Sequence, residues 1–435
     1  MNRREIVQAS LGLLAGPWIG RQAPPWRAWR IDGDRVARWL VELSQFGATP
    51  EGGVSRTGFS EADVAAREWI KPIMRSAGLE VAVDPAGNIL GKRPGTDPSL
   101  KPLLFGSHID SVLNGGNYDG DVGTLGAIEV ARLLAEKGYR NRHPLWVTLW
   151  CDEENGLTGS RGFLGQLTAA DLARPAGPKG PPLADQIRKI GGDPDAMAGY
   201  RHGPGSIAGY VELHIEQGGV LDQTGQAIGV VEGIVGIRSW EVTVTGFANH
   251  AGTTPMDQRK NALVAAAEVV LAVDRIVKAM PGRQVGTVGR LQVRPGAQNV
   301  VPGEVEFSIE IRDLSTETLE RLWGEIRAAA DAIMSRHGTT WSARERATNL
   351  PAMADATVRG VIDGAARDLG LSTRSMPSGA GHDAQNLARI GPMGMIFVPS
   401  VGGISHAPRE YTRPEDVTNG VNVLLQTMLR LDQRA

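Results

Sequence analysis

Residues 103–154 read LLFGSHIDSVLNGGNYDGDVGTLGAIEVARLLAEKGYRNRHPLWVTLWCDEE. The stretch opens on a short apolar strand, Leu103-Leu104-Phe105, which runs into a Gly-Ser-His loop. Apolar spacing over 122–137 predicts a helix, and 144–150 (PLWVTLW) predicts a second buried strand that ends at a run of acidic residues. Upstream, 61–77 has helical spacing with Ser60 placed to cap it. Alternation of this kind over 32–233 argues for an α/β fold, a mainly parallel sheet with helices on both faces. In such sheets a ligand sits outside the carboxyl ends of the strands. Both polar runs, at His108 and at Glu153, follow predicted strand ends.

The middle of the chain reads differently. Residues 239–244 alternate, with Trp240, Val242 and Val244 on one face, and 261–280 is a long apolar helix. A strand is predicted over 286–293. Another over 305–311 sets Val305, Phe307, Ile309 and Ile311 against Glu306, Ser308 and Glu310. A helix over 316–337 is stopped by Gly338, and 339–343 is a final strand. The order β-α-β-β-α-β is the split-βαβ pattern of a small ferredoxin-like α+β domain. One polar face per strand fits an antiparallel sheet covered on one side. The expected organisation is a catalytic domain in two parts, 31–234 and 347–435, with an inserted domain at 235–346.

With 435 residues, two domains are the default. Apolar residues make up 41% and charged residues 22%, and the net charge is −2, so no basic field exists to hold nucleic acid or an anionic membrane. The single Cys151 rules out an intrachain disulfide. At the N-terminus, Arg3-Arg4 precede a mild apolar run over 6–20, too short for a stable membrane helix. Residues 1–30 therefore read as a twin-arginine export signal and linker, implying a periplasmic or secreted protein with no membrane segment in its mature form. An ordinary amphipathic first helix or a frayed terminus is the other reading, with a cytoplasmic protein as its consequence.

Five of the eight histidines stand in chemically suggestive contexts. In GSHIDSVLNGGNYDGDVG, His108 and Asp110 project to one side of a strand end, and Gly115-Gly116 allow a sharp turn that returns Asp119. Imidazole and carboxylate suit zinc or manganese, and Asp110 can bind the metal or orient the imidazole. In CDEENG, the adjacent Glu153 and Glu154 point to opposite sides if the segment is extended, so one can bind metal while the other handles protons. A solvated acidic loop is the plainer reading. In ELHIEQGGVL, Glu212, His214 and Glu216 share one face of an extended segment, unless His214 is simply a core histidine. His250 in GFANHAGTTPM, His382 in SGAGHDAQ and His406 in GGISHAPRE lie in loops that serve either packing or function. His143, His202 and His337 have plain surroundings.

ELHIEQG, HAGTTPM, NVVPGE, SGAGHDA and ISHAP, in this order, resemble the amidase/carbamoylase branch of the di-zinc carboxypeptidase-like metallopeptidase superfamily. That branch includes N-carbamoyl-L-amino-acid hydrolases, allantoate amidohydrolases and β-ureidopropionases. The resemblance runs from about Arg35 to the C-terminus. It implies two divalent ions per chain, zinc, manganese or cobalt. His108, the bridging Asp119 and His214 would hold one, and Asp119, Glu154 and His406 the other. It further implies that Asp110 orients His108, that Glu153 is the general base, and that Gln217, His250, Asn299, Arg312 and His382 contact or adjoin the substrate. The insertion would form a homodimer and deliver His250 to the partner's site.

The chemistry is coherent. Amide and ureido carbonyls are poor electrophiles, and a metal pair activates both carbonyl and water. His250 and Asn299 would stabilise the oxyanion, and Arg312 would clamp a carboxylate of a small substrate. One departure bears on the substrate. EENGLTGSRGFLG is shorter than the branch's usual loop and lacks its Arg-Phe, as in the peptidases and aminoacylases of the superfamily; Tyr118 also replaces a usual Phe. Three functions are thus distinguished: hydrolysis of an N-carbamoyl or ureido acid, hydrolysis of a peptide or N-acyl amino acid on the same metals, and a silent binding protein. The last would be expected to lack Glu153 or a ligand, and all are present.

Overall fold

The computed structural model describes residues 24–176 and 180–434. Most of the proposed export signal, residues 1–23, lies outside them. Met1–Arg30 forms a unit of its own, in which the one described element is a 3₁₀ turn at Pro25–Ala28. Ile31–Ala435 forms one compact unit. No described helix is long and apolar enough to cross a membrane.

The larger of its sheets has nine strands. Its middle is a run of four parallel neighbours in the order Leu145–Trp150, Leu103–His108, Gly209–Ile215, Met393–Val398. Antiparallel strands flank them, Ile89–Arg93 on one side and Ile228–Ile234 on the other. Strand Gly209–Ile215 is buried along its whole length, as a strand covered on both faces must be. Its Leu213 side chain fits beside Gly126 and Gly420 of helices Asp121–Glu136 and Pro414–Asp432. The alternate residue Glu212 points the other way and accepts the Ala384 N–H of helix Asp383–Leu387 at 3.2 Å. Helices thus cover both faces, as the alternation predicts.

One boundary differs from the sequence reading. Gly-Ser-His, read as a loop, completes the strand Leu103–His108, with Ser107 opposite Leu149 and His108 opposite Trp150. Gly106 suggested the loop. Its φ of 151° and the Thr148 carbonyl lying where a Cβ would stand show that glycine here permits a close strand approach.

The second sheet is antiparallel and drawn from 236–349. Gly236–Thr245 and Glu304–Asp313 are its centre, with Thr340–Asn349 at one edge and Leu291–Arg294 at the other. This is the predicted split-βαβ order. Val305, Phe307, Ile309 and Ile311 are buried, and Trp240 stacks on Trp323 at 3.8 Å against helices Ala262–Ala279 and Thr316–His337. The strand predicted over 286–293 is two, Val285–Thr287 and Leu291–Arg294, because three residues, 288–290, stand opposite only two, 308–309, and the register shifts by one between them. The strand predicted over 339–343 continues to Asn349 past an irregularity between Glu345 and Ala347.

Candidate metal centre

Each of the four parallel strands ends at a candidate side chain. His108 is the last residue of its strand, Glu153 and Glu154 follow Leu145–Trp150, His214 is next to last in Gly209–Ile215, and the His406 loop follows Met393–Val398. Asp119 lies just before helix Asp121–Glu136, and the intervening Gly120 has φ 67°. A Cβ on Gly120 would strike the His108 ring, so glycine lets Asp119 and His108 approach. Asp119 returns to within reach of His108, as expected of a turn after Gly115 and Gly116. Neither glycine has positive φ; a Cβ on Gly116 would run into Glu410.

Asp119 is shared by two groups. Its Oδ1 lies 3.4 Å from His108 Nε2 and 3.1 Å from His214 Nε2; its Oδ2 lies 3.2 Å from His406 Nε2, which is 3.4 Å from Glu154 Oε2. In the groups His108–Asp119–His214 and Asp119–Glu154–His406, donor atoms lie within 4.8 Å of one another. His108 and His214 are fully buried. Their Nε2 atoms and Glu154 Oε1 have no hydrogen-bond partner. A buried polar atom left so costs about 1–3 kcal/mol, and divalent cations suit this set of imidazole and carboxylate donors. Each ring is turned by its other nitrogen: His108 Nδ1 is 3.0 Å from the Asp110 carbonyl and His214 Nδ1 is 2.9 Å from the Ile215 carbonyl.

The electrostatics point the same way. Burial opposes charge on His108, but Glu153, Asp119 and Asp110 outweigh it and hold the imidazole well above its usual range. Burial would raise Asp119, yet His214, His108 and His406 hold it well below the carboxylate range. Burial pushes Glu153 well up against the pull of His108, and burial with Asp119 brings Glu154 to about 7. The Asp119 contact raises His406 to about 9. Crowded carboxylates that burial pushes toward protonation are what bound cations relieve.

Glu153 and Glu154 do not lie in an extended segment. They open a single helical turn, Glu153–Gly156, bracketed by Asp152 and Leu157, both with φ 52°. Successive side chains on a helix diverge by about 100°, so the two carboxylates still separate. Glu154 turns to His406, while Glu153 Oε2 stands 3.9 Å from His108 Nε2. Asp110 pins this turn. Its two carboxylate oxygens accept the N–H groups of Glu153 and Glu154, each at 3.1 Å, and its carboxylate is 3.7 Å from His108 Nδ1.

A cleft of about 1080 Å³ adjoins the groups, lined by Asp119, Glu153, Glu154, Gln217, His382 and His406, with Arg312 from the second sheet. The Gln217 amide donates to Asp119 Oδ2 at 2.6 Å and stands 3.2 Å from His406 Nε2. Arg312 donates to the Gly379 carbonyl at 2.7 Å and to Glu310 at 2.9 Å. His382 packs edge-on to His214 at 4.4 Å, and burial with His214 holds it well below the usual imidazole range. Its grouping with Glu212 and His214 is a third one, but Glu212 already accepts from Ser107, Tyr210 and Ala384. His250 and Asn299 are not brought to the cleft. They sit by the two-stranded pairing of Asn249–His250 with Val300–Val301, where the Asn299 carbonyl accepts the Ala251 N–H. Glu216 belongs to neither group and accepts the N–H groups of Val220 and Leu221, each at 2.7 Å. His143, His202 and His337 have ordinary partners: the Lys101 carbonyl, the Phe163 ring and Glu268. Sequence reasoning passed over Glu410, which is buried between the Asp119 and His406 loops. Its only sequence signal is a carboxylate in a Gly/Pro-rich loop with His406.

Residues 104–430 match Peptidase family M20/M25/M40. An N-carbamoyl-L-amino acid amidohydrolase of Geobacillus stearothermophilus is 39% identical over 409 residues, covering 93% of this chain and 99% of that protein. An allantoate amidohydrolase of Bacillus subtilis is 34% identical, with 91% and 97% covered. A crystal structure of an amidase of the hydantoinase/carbamoylase family from Burkholderia multivorans superposes with a TM-score of 0.87 at 35% identity, covering 93% of this chain and 99% of that one. The chain belongs to Peptidase family M20/M25/M40, in its amidase/carbamoylase branch, and is a metal-dependent hydrolase of linear, non-peptide carbon–nitrogen bonds.

Proposed function

We propose that the protein hydrolyses the ureido C–N bond of a small N-carbamoyl amino acid or related ureido acid, using two divalent ions, zinc, manganese or cobalt. The carrying observation is Asp119, one carboxylate shared between two histidine–carboxylate groups in which His108 Nε2, His214 Nε2 and Glu154 Oε1 are buried without a hydrogen-bond partner. His108, Asp119 and His214 would hold one ion, and Asp119, Glu154 and His406 the other. When bound, the ions supply Lewis acidity towards the carbonyl oxygen and the attacking water. Glu153 accepts the water proton and passes it to the leaving nitrogen, releasing an amine and carbamate, which decays to carbon dioxide and ammonia. Arg312, already on the cleft wall, fixes a substrate carboxylate as a planar two-pronged donor. Gln217 and His382 shape the pocket around the scissile group. His250 and Asn299 complete the oxyanion site from a partner subunit.

The short turn Glu153–Gly156 and the helix Thr158–Phe163 that follows it favour a second reading, an N-acyl amino acid as substrate. The test is a panel of N-carbamoyl amino acids, allantoate and ureidopropionate beside dipeptides and N-acetyl amino acids. Ammonia should be released from a ureido acid, cease on chelation and return with zinc, manganese or cobalt. Turnover of N-acetyl amino acids alone would establish the second reading, and full activity after verified metal removal would end both.

A further inference from the structure

Glu410 lies four residues beyond His406 and is buried. Its Oε1 accepts the backbone N–H groups of Tyr118 and Asp119, each at 3.1 Å. Its Oε2 accepts the Ser405 hydroxyl at 2.8 Å and the His406 N–H at 3.1 Å. These four donors come from two loops that the sheet does not join. The Asp119 loop follows strand Leu103–His108, the His406 loop follows Met393–Val398, and Gly209–Ile215 runs between those strands. One carboxylate spans the gap.

We propose that Glu410 is a positioning residue that clamps the Asp119 loop to the His406 loop and so shapes the second cation site before an ion arrives. This rests on the two-cation reading above. Three further observations support it. An ionised carboxylate offers about four lone-pair sites, and all four are taken, so Glu410 has none to offer a metal and acts through its neighbours. His406 has φ 55°, a left-handed conformation uncommon outside glycine. Such a backbone persists only where its surroundings hold it, and the His406 N–H is held by Glu410. Gly116 leaves the space that the Glu410 side chain fills. The geometry thus ties together the two residues, Asp119 and His406, that approach each other at 3.2 Å.

The test compares the metal-stripped full-length protein with Glu410→Gln and Ser405→Ala, titrated with zinc or cobalt against a chromophoric chelator, with far-UV circular dichroism as a fold control. Gln keeps the size of Glu but turns an N–H₂ group towards two donors. Wild-type protein should bind two ions. Glu410→Gln should keep the first ion and weaken the second by about 10–100-fold, the usual effect of losing a partner that orients a ligand, with the dichroism unchanged. Ser405→Ala removes one of the four bonds, together with the 3.3 Å bond of the same hydroxyl to Asp119 Oδ2, and should weaken the second ion by less. Two ions held by Glu410→Gln at wild-type affinity would overturn the clamp and leave the two-cation reading standing. A wild-type chain that binds no ion would overturn both. If Glu410→Gln does not fold, the decision passes to Ser405→Ala, and an unchanged second affinity there overturns the clamp.

Discussion

At the scale of the residue, the site depends on adjacent carboxylates having different surroundings. Glu153 and Glu154 are neighbours in sequence, and Asp110 accepts both of their N–H groups. Their side chains part at once. Glu154 reaches His406 at 3.4 Å and shares Asp119's second group; Glu153 turns to the His108 side and lines the cleft. Under the proposed roles, Glu153→Gln should retain both ions while turnover falls by about 10²–10⁴-fold, the range for losing a general base. Glu154→Gln should instead lose one ion. Metal analysis beside turnover on the same samples decides this, and loss of metal in Glu153→Gln with activity kept would exchange the roles. The sequence reading reached this pair through an extended segment, whereas a helical turn produces the divergence.

At the scale of the element, helix Asp121–Glu136 is fixed at its start by a buried ion pair. Arg56 and Asp121 are each 1% exposed at the side chain, with Arg56 Nη2 at 2.6 and 2.9 Å from the two carboxylate oxygens. The same guanidinium donates to the carbonyls of Leu43, Phe46 and Ile109. The Asp121 N–H in turn bonds the Asp119 carbonyl at 2.7 Å, so the pair anchors the loop that presents Asp119. Removing one partner of a buried pair strands the other; Arg56→Ala should cost about 3–5 kcal/mol, read from denaturant unfolding of the metal-free protein. A cost within error of zero would show that the site tolerates an unpaired Asp121. Nothing in the sequence points to Arg56, because its partner is remote in the chain and its own surroundings, Ser-Arg-Thr-Gly, read as a solvated loop. The same limit hid Glu410. By contrast, the strand Glu304–Asp313 was legible because its alternating burial is local and periodic, and the helix Thr316–His337 because Gly338, with φ 60°, ends it. Local period and caps were readable; long-range polar pairing was not. The metal-group residues were readable only through motifs, since the sheet order that gathers them is set by the whole fold.

At the scale of the molecule, the unresolved demand is His250. It is exposed, its Nδ1 accepts the N–H groups of Gly252 at 3.0 Å and Thr253 at 3.2 Å, and it does not line the metal cleft. With Nδ1 held as acceptor, the proton of the neutral ring sits on Nε2, which is the form an oxyanion needs. A donor so prepared, remote from its own cleft, is useful when a second subunit presents it, and a twofold dimer is the commonest closed assembly that can do so. His250→Ala should therefore keep both metals and the dimer but lower turnover by about 10²-fold or more, the cost of one oxyanion donor. Mixed after dissociation with an excess of Glu153→Gln subunits, each impaired His250→Ala chain would acquire a partner with an intact His250. One of the two sites in every hybrid would then hold both Glu153 and a delivered histidine, so about half of the hybrid sites should turn over. Activity that stays at the level of the separate variants, with hybrids demonstrated by mass-labelled subunits, would place His250 within its own chain's chemistry or outside the reaction.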